Sequence, residues 1–249
     1  MTDKKRTSLD NAFEILKLFS LNEPEMSVTE IARRLEVSKS TAHRLLSSLL
    51  AEEFVYKNPK NHLYSLGSSI LSLAYIVNTQ IHIASESIPI LNSIAENTKE
   101  SAHLSIIEDE NTIVYIQTVK GEYEEGLTGT IQLGMRKQVT DSASGNVFLA
   151  YDDILQEEHE VDVSRANVLA SIQKDSYLIK ENGNTTEIAI PVFYQEQITA
   201  VISITTNTRR IRAERLRKQA IRYLEQGARK LETIIVNRKR GYSIASFNE

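Results

Sequence analysis

The chain has 249 residues, 41% of them hydrophobic, and its 29 Lys and Arg against 33 Asp and Glu leave a net charge of −4. That is enough chain and apolar content for one large domain or two modest ones, which excludes a disordered chain. Zero cysteine excludes disulfides and thiolate sites and fits a cytoplasmic protein, and no apolar run approaches the roughly 20 residues of a membrane span.

The N-terminal Lys4-Lys5-Arg6 is not followed by the apolar stretch of a signal peptide. Ala12, Ile15, Leu16 and Phe19 recur at helical spacing and predict a first helix. Ser27 and Glu30 stand as a Ser-x-x-Glu capping box and start a second. Ile31, Ala32 and Leu35 form its apolar face, and Ala32 is small where a following helix must cross closely. Val37 plugs the turn. Ser38 or Ser40 caps a third helix, with Ala42, Leu45, Leu46 and Leu49 on its apolar face.

The other face of that third helix carries Lys39, Ser40, Thr41, His43, Arg44 and Ser47. A helix-turn-helix sends the start of its second helix into the major groove, where such side chains reach base edges and phosphates. Ser27, Thr29 and Ser38 are further DNA-contact candidates. Phe54-Val55-Tyr56 and His62–Gly67 flank a Pro/Asn turn and predict a β-hairpin, the wing of a winged helix. Lys57 and Lys60 at its tip are placed to meet the sugar-phosphate backbone. Residues 1–67 carry ten basic and nine acidic side chains, a net of +1, and the remainder a net of −5. A near-neutral DNA module on an acidic body depends on local placement of cations and resists random binding to DNA.

After Gly67, Ile70, Leu73, Ala74, Val77 and Ile81 predict a linker helix apolar enough to pack on a partner subunit. Residues 88–95 predict another helix, with Pro89 in its first turn. Strands are then predicted over 102–107, 112–119 and 126–133. A helix opens at Asp141–Gly145, and a polar, partly helical stretch spans 152–175. Strands follow over 177–180, 187–194 and 198–205, and Ile211, Leu216, Ala220, Leu224, Ala228, Leu231 and Ile235 mark a long closing helix. The order implies an α+β domain with an antiparallel sheet.

These residues resemble the isocitrate-lyase-regulator (IclR) family of bacterial transcription regulators. The resemblance rests on Ala12–Leu16, Ser27–Leu46 with its Ser38–Leu46 core, and Tyr64-Ser65-Leu66-Gly67. In the second half it rests on Ala102-His103-Leu104, Val114-Tyr115-Ile116, Ala143-Ser144-Gly145 and Ile188–Phe193. It implies a winged helix-turn-helix over 1–67, a linker helix over 68–81, a GAF-like effector-binding and oligomerisation domain over 82–240 and a tail over 241–249. It also implies homodimers, or dimers of dimers, on double-stranded operator DNA.

The family's effector pocket maps onto Gly134, Met135, Asp141, Ser142, Ala143, Ser144, Gly145, Glu187, Ile188 and Ala189. A Ser/Gly-rich helix start offers free amides and a positive dipole end to an oxygen-bearing ligand. The chain departs from the family pattern at Glu36, where a turn glycine is common, and at Thr140-Asp141. It departs again over Ser176–Glu181, and at Glu187, where a cysteine or other small residue is frequent. Asp141 and Glu187 would place two carboxylates near the pocket, and their mutual repulsion argues against a simple organic anion as effector.

No catalytic or metal site and no cofactor is expected. The five histidines lack metal-ligand spacing, Ser142 and Ser144 lie outside a Gly-x-Ser-x-Gly elbow, and no phosphate-binding Gly-x-x-x-x-Gly-Lys occurs. The expected function is therefore a sequence-specific DNA-binding regulator, read as a repressor. The alternatives are a constitutive regulator whose sensor has lost its ligand and an enzyme built on the C-terminal half.

Overall fold

The chain divides into two units, Met1–Gln80 and Ile81–Glu249. The computed structural model describes residues 7–20, 23–80, 82–123, 130–159 and 161–242.

The first unit runs α1 (Ser8–Leu18), α2 (Val28–Arg34), α3 (Lys39–Ala51), β1 (Val55–Lys57), β2 (Tyr64–Leu66) and α4 (Ser69–Gln80). Thr7 and Asp10 close a full capping box on α1. At α2 only half of the expected box forms. Ser27 Oγ accepts from the Glu30 N–H at 3.1 Å, but the Glu30 carboxylate is held by Arg33 and Arg34. The charge-assisted bonds to two guanidiniums outcompete a single amide, and they pull Glu30 down to about 2.

Ile15, Ile31 and Leu46 are fully buried and pack with Met26, Leu35, Leu45, Val55 and Tyr64 into one core. Met26 exchanges both backbone bonds with Tyr64, adding a third rung beside the antiparallel β1–β2 hairpin. Gly67 ends the hairpin because a Cβ there would lie 2.1 Å from the Glu53 carbonyl oxygen.

The turn between α2 and α3 is a Schellman motif. The Val37 N–H reaches Ala32 O at 3.1 Å and the Glu36 N–H reaches Arg33 O at 3.3 Å. This motif needs a left-handed residue after the helix cap, and Glu36 supplies it with φ 57°. A β-carbon costs about 1–2 kcal/mol in that conformation.

The second unit runs α5 (His82–Thr98), β3 (Ser101–Ile107), β4 (Thr112–Val119), β5 (Arg136–Gln138), α6 (Ala143–Tyr151), α7 (Asp153–Glu158), α8 (Val163–Asp175), β6 (Leu178–Asn182), β7 (Thr185–Tyr194), β8 (Gln197–Asn207), α9 (Thr208–Ile211) and α10 (Glu214–Tyr242). The six strands form one antiparallel sheet in the order β5-β4-β3-β8-β7-β6. Leu104, Ile188, Ile202 and Ile204 lie on one face against α5 and α10. Tyr115, Ala189 and Val201 lie on the other against α6 and α8. The fold is α+β, with a helix-turn-helix unit followed by this sheet-and-helix unit.

Three expectations are corrected. Pro89 lies inside α5 rather than in its first turn, because the helix already starts at His82; its missing N–H leaves the Ser85 carbonyl without an intrahelical donor. Of the strand expected over 126–133, the described residues 130–133 form no strand. Residues 124–129 lie outside the described ones, 130–132 have no regular structure, and a turn falls at Leu133-Gly134. Gly134, at φ 79°, donates to Tyr115 O at 2.7 Å, and the edge strand is β5. The long closing helix is divided, with α9 preceding α10, and α10 continues to Tyr242 past the expected start of the tail at 241; residues 243–249 lie outside the described ones, as do Lys4–Arg6 and Ile81.

Replacing Glu36 with glycine removes the left-handed strain, while glycine's greater freedom in the unfolded chain offsets part of the gain. Glu36→Gly is expected to stabilise the first unit by about 0.5–1 kcal/mol in a denaturant titration.

Candidate functional site

Helix α3 is fixed from both sides. Ser38 caps it, accepting from the Thr41 N–H at 3.1 Å, and the Ser38 hydroxyl also bonds the Ser40 hydroxyl at 2.9 Å and the Thr41 hydroxyl at 2.8 Å. Ala42, Leu45 and Leu46 anchor the inner face. Lys39, Ser40, His43, Arg44 and Ser47 are exposed on the outer face, and Thr41 is half-buried. Ser47 donates to the His43 carbonyl at 2.9 Å. Thr29 is exposed on α2, whereas Ser27 is committed to its cap.

On the hairpin, Lys57 Nζ sits 5.4 Å from the Tyr64 ring centroid. Asn58 Oδ1 accepts from the Lys60 N–H at 3.0 Å, and Lys60 is exposed at the tip. Two of the hydroxyls picked as DNA contacts, Ser27 and Ser38, therefore set helix geometry.

In the second unit, the start of α6 faces the sheet. Ser142 caps the helix through the Gly145 N–H at 2.9 Å. Gly145 is required there, since a Cβ would lie 2.2 Å from the Val139 carbonyl oxygen. The Glu187 carboxylate reaches across from β7. It accepts from the Ala143 N–H at 2.9 Å, from Tyr115 Oη–H at 3.0 Å and from the Ser144 hydroxyl at 2.5 Å. Burial and the neighbouring Glu187 charge hold the Tyr115 phenol well above its usual range, so it stays a donor.

Beside this cluster lies a cavity of about 60 Å³, lined by Ile131, Lys137, Asp141, Ser142, Ala143, Lys180, Asn182, Thr185, Glu187 and Thr205. Of the expected pocket residues, Asp141, Ser142, Ala143 and Glu187 meet there. Ser144 is one bond behind the wall, bound to Glu187. Gly145 packs on Val139, and Ala189 faces α6 in the adjoining core. Ile188 points to the opposite face of the sheet, toward α10. Gly134 is exposed and Met135 packs beside the second core, neither on the cavity wall.

The expected repulsion between two carboxylates is also corrected. Glu187 is matched by three donors, and Lys137 and Lys180 stand on the same wall as Asp141. Burial pulls the Lys180 ammonium down, while Asp141 and Glu187 raise it, and its Nζ donates to Thr140 O at 2.8 Å. Sequence reasoning missed these lysines and Thr205. The signal was strand pairing, since Lys180 and Thr205 both lie opposite Glu187 in the sheet.

Behind Thr205, His103 is fully buried, 3.0 Å from Thr205 Oγ1 and 3.3 Å from Thr118 Oγ1, with its ring edge-on to Tyr115. Burial, with a smaller push from Lys137, lowers its pKa to about 3. It is neutral and carries hydrogen bonds, not a proton-transfer role. Among the described residues no cluster of His, Asp and Glu could hold a metal ion, and no helix is long and apolar enough to cross a membrane.

Residues 8–59 match the IclR helix-turn-helix domain family, and residues 75–233 match the bacterial transcriptional regulator IclR C-terminal family. The regulator XynR of Escherichia coli is 26% identical over 223 residues, spanning 82% of this chain and 87% of XynR. The regulator KdgR of the same species is 27% identical over 247 residues, spanning 89% of this chain and 92% of KdgR. Among solved structures, an IclR transcriptional regulator from Alicyclobacillus acidocaldarius superposes with a TM-score of 0.75 at 25% identity, covering 91% of this chain and 97% of that one. An IclR homologue from Microbacterium hydrocarbonoxydans, solved with 4-hydroxybenzoate, shares the fold with a TM-score of 0.77 at 18% identity, covering 91% and 98%.

The chain belongs to the IclR family of bacterial transcriptional regulators. It is a transcription regulator with an N-terminal helix-turn-helix DNA-binding domain and a C-terminal effector-binding domain.

Between about pH 6.5 and 3 the unfolded chain protonates His103 and the folded chain does not, so stability rises with pH across that window and is independent of His103 above it. Between pH 6.5 and 5, before most carboxylates titrate, His103 contributes a slope approaching about 1.4 kcal/mol per pH unit. His103→Asn is expected to flatten that slope in urea titrations at a series of pH values, whatever its effect on absolute stability.

Proposed function

We propose that this protein is a cytoplasmic transcriptional repressor that binds double-stranded operator DNA as a homodimer or a pair of dimers. The observation that carries it is the outer face of α3, where Lys39 and Arg44 project from a capped, buried helix with no acidic partner among the described residues. Arg44 reads a base edge, with Ser40, Thr41, His43, Lys39 and Ser47 around it, while Lys57 and Lys60 hold the backbone through the hairpin and Thr29 contacts it from α2. Ser27 and Ser38 act by orienting α2 and α3. Repression requires only that the operator be occupied, and no catalytic activity is assigned.

Dimerisation is supported by α4, which leaves Leu71 and Tyr75, one turn apart on the same face, 73% and 71% exposed. An apolar face of that kind on a regular helix marks an association surface.

The C-terminal domain takes an effector other than a simple organic anion, because the anion-binding start of α6 already holds the Glu187 carboxylate. The 4-hydroxybenzoate bound by the Microbacterium homologue therefore does not transfer here. The small cavity favours a second reading, in which the sensor has no ligand and the protein binds DNA constitutively. A ligand that binds only the folded state raises the melting temperature, so a metabolite panel separates the two.

Arg44→Ala is expected to weaken operator binding by about 1–3 kcal/mol and to relax preference at the base it reads, measured by titration against single-base operator variants. An equal loss on every sequence would make Arg44 a phosphate contact. Leu71→Glu is expected to raise the dimer dissociation constant at least tenfold in sedimentation velocity; an unchanged constant removes α4 from the interface.

A further inference from the structure

The Glu187 carboxylate is bound as a separate ligand would be. Its three donors come from two segments: the first amide and the Ser144 hydroxyl of α6, and the Tyr115 phenol of β4. Glu187 itself arrives from β7, 44 residues from Ala143 in the chain. Only 7% of Glu187 is exposed. Helix-start amide, two hydroxyl donors and low dielectric are the chemistry that recognises a free carboxylate.

We propose that Glu187 is a tethered ligand: its carboxylate permanently fills a carboxylate-recognition site at the start of α6, so that the native sensor rejects small carboxylic acids that the same donors would otherwise bind. This rests on the assignment of the C-terminal unit as the effector-binding domain and specifies which ligands that domain refuses. A free acid must displace a group held on the protein at high effective concentration, and the space left beside it, about 60 Å³, is far below the roughly 300–1,000 Å³ of ordinary ligand pockets. A glutamate serving only to tie α6 to the sheet would make the same bonds, so the distinction lies in whether an untethered carboxylate can replace it.

Glu187→Ala tests this directly, because the atoms it deletes, a methylene and a carboxylate, are those of acetate. The probe is sodium acetate at pH 7.5, applied to the full chain, with sodium chloride at equal ionic strength and neutral acetamide as references. Wild type is expected to show no acetate-specific change in melting temperature. Glu187→Ala is expected to melt lower and to regain about 3 °C or more at 100 mM acetate, saturably, with no response to acetamide. Glu187→Gln fills the space, turns an amide donor toward the donors of the site, and is expected to be destabilised without acetate rescue.

If Glu187→Ala does not fold in chloride, refolding in acetate is expected to restore the native circular dichroism spectrum. The proposal is overturned if acetate neither stabilises nor refolds Glu187→Ala, or if it stabilises wild type equally. Melting requires no DNA. Failure here leaves the α3 interface standing, and failure of the Arg44 experiment leaves this result standing.

Discussion

The constraint that organises the second unit is the partnering of polar groups on the α6 side of the sheet. Alternation along β3 and β8 puts Leu104, Ile202 and Ile204 on one face and His103, Ser105, Ser203 and Thr205 on the other. Both faces are covered by helices, so the polar face cannot turn to water, and each unpaired group there costs about 1–3 kcal/mol. Most are met by short internal bonds from Thr118 through His103 to Thr205, and from Tyr115 and Ser144 to Glu187, while the buried Ser203 hydroxyl has no hydrogen-bond partner among the described residues. Helix α6 completes it by presenting its unsatisfied first amide to Glu187. A sheet built only for stability would carry apolar residues on both faces; one that keeps a buried polar strip beside a helix start is suited to holding a polar ligand.

The first unit solves a different problem with fewer residues. Its core is small, so the positions of α2 and α3 depend on capping and on the turn between them. Ser27 and Ser38 each satisfy a first-turn amide, and the Schellman bonds of Glu36 and Val37 fix the exit from α2. That the turn tolerates a left-handed glutamate shows how strongly the flanking contacts of Ala32, Leu35 and Val37 determine its geometry.

The helix-turn-helix was legible in the sequence because its signals are local. Capping serines, an i, i+3, i+4 apolar stripe and a small residue at the crossing can all be read within about twenty residues of one another. The sheet elements were legible for a similar reason, except over 130–133, where an expected strand end gives way to a turn at Leu133-Gly134. Pro89 misled because the helix extends upstream through residues with weak periodicity. The site was only partly legible. Asp141–Ala143 and Glu187 were found, but the partners of Glu187 come from Tyr115 and Ser144, and the wall is shared with Lys137, Lys180 and Thr205. Those neighbours are fixed by strand register, which is non-local. The sign of the error follows: with the two carboxylates in view and the lysines and hydroxyl donors out of view, the sequence implied repulsion where the structure surrounds Glu187 with neutral donors and sets two lysines on the same wall.

A net charge of +1 over residues 1–67 is too small by itself to draw a protein to DNA. The structure distributes that charge unevenly. Lys17 is paired with Glu14, Arg33 with Glu30, and Arg34 with both Glu23 and Glu30. The acids thus neutralise cations on α1 and α2, and among the described residues of the first unit the cations outside ion pairs are Lys39 and Arg44 on α3 and Lys57 and Lys60 on the hairpin. Few unneutralised cations among the described residues give weak nonspecific attraction, which places the burden of the proposed recognition on the outer face of α3. Residual cations confined, among the described residues, to α3 and the hairpin, on a scaffold whose other described cations are paired, are the electrostatic form expected of a regulator that selects its site by base contacts rather than by bulk attraction.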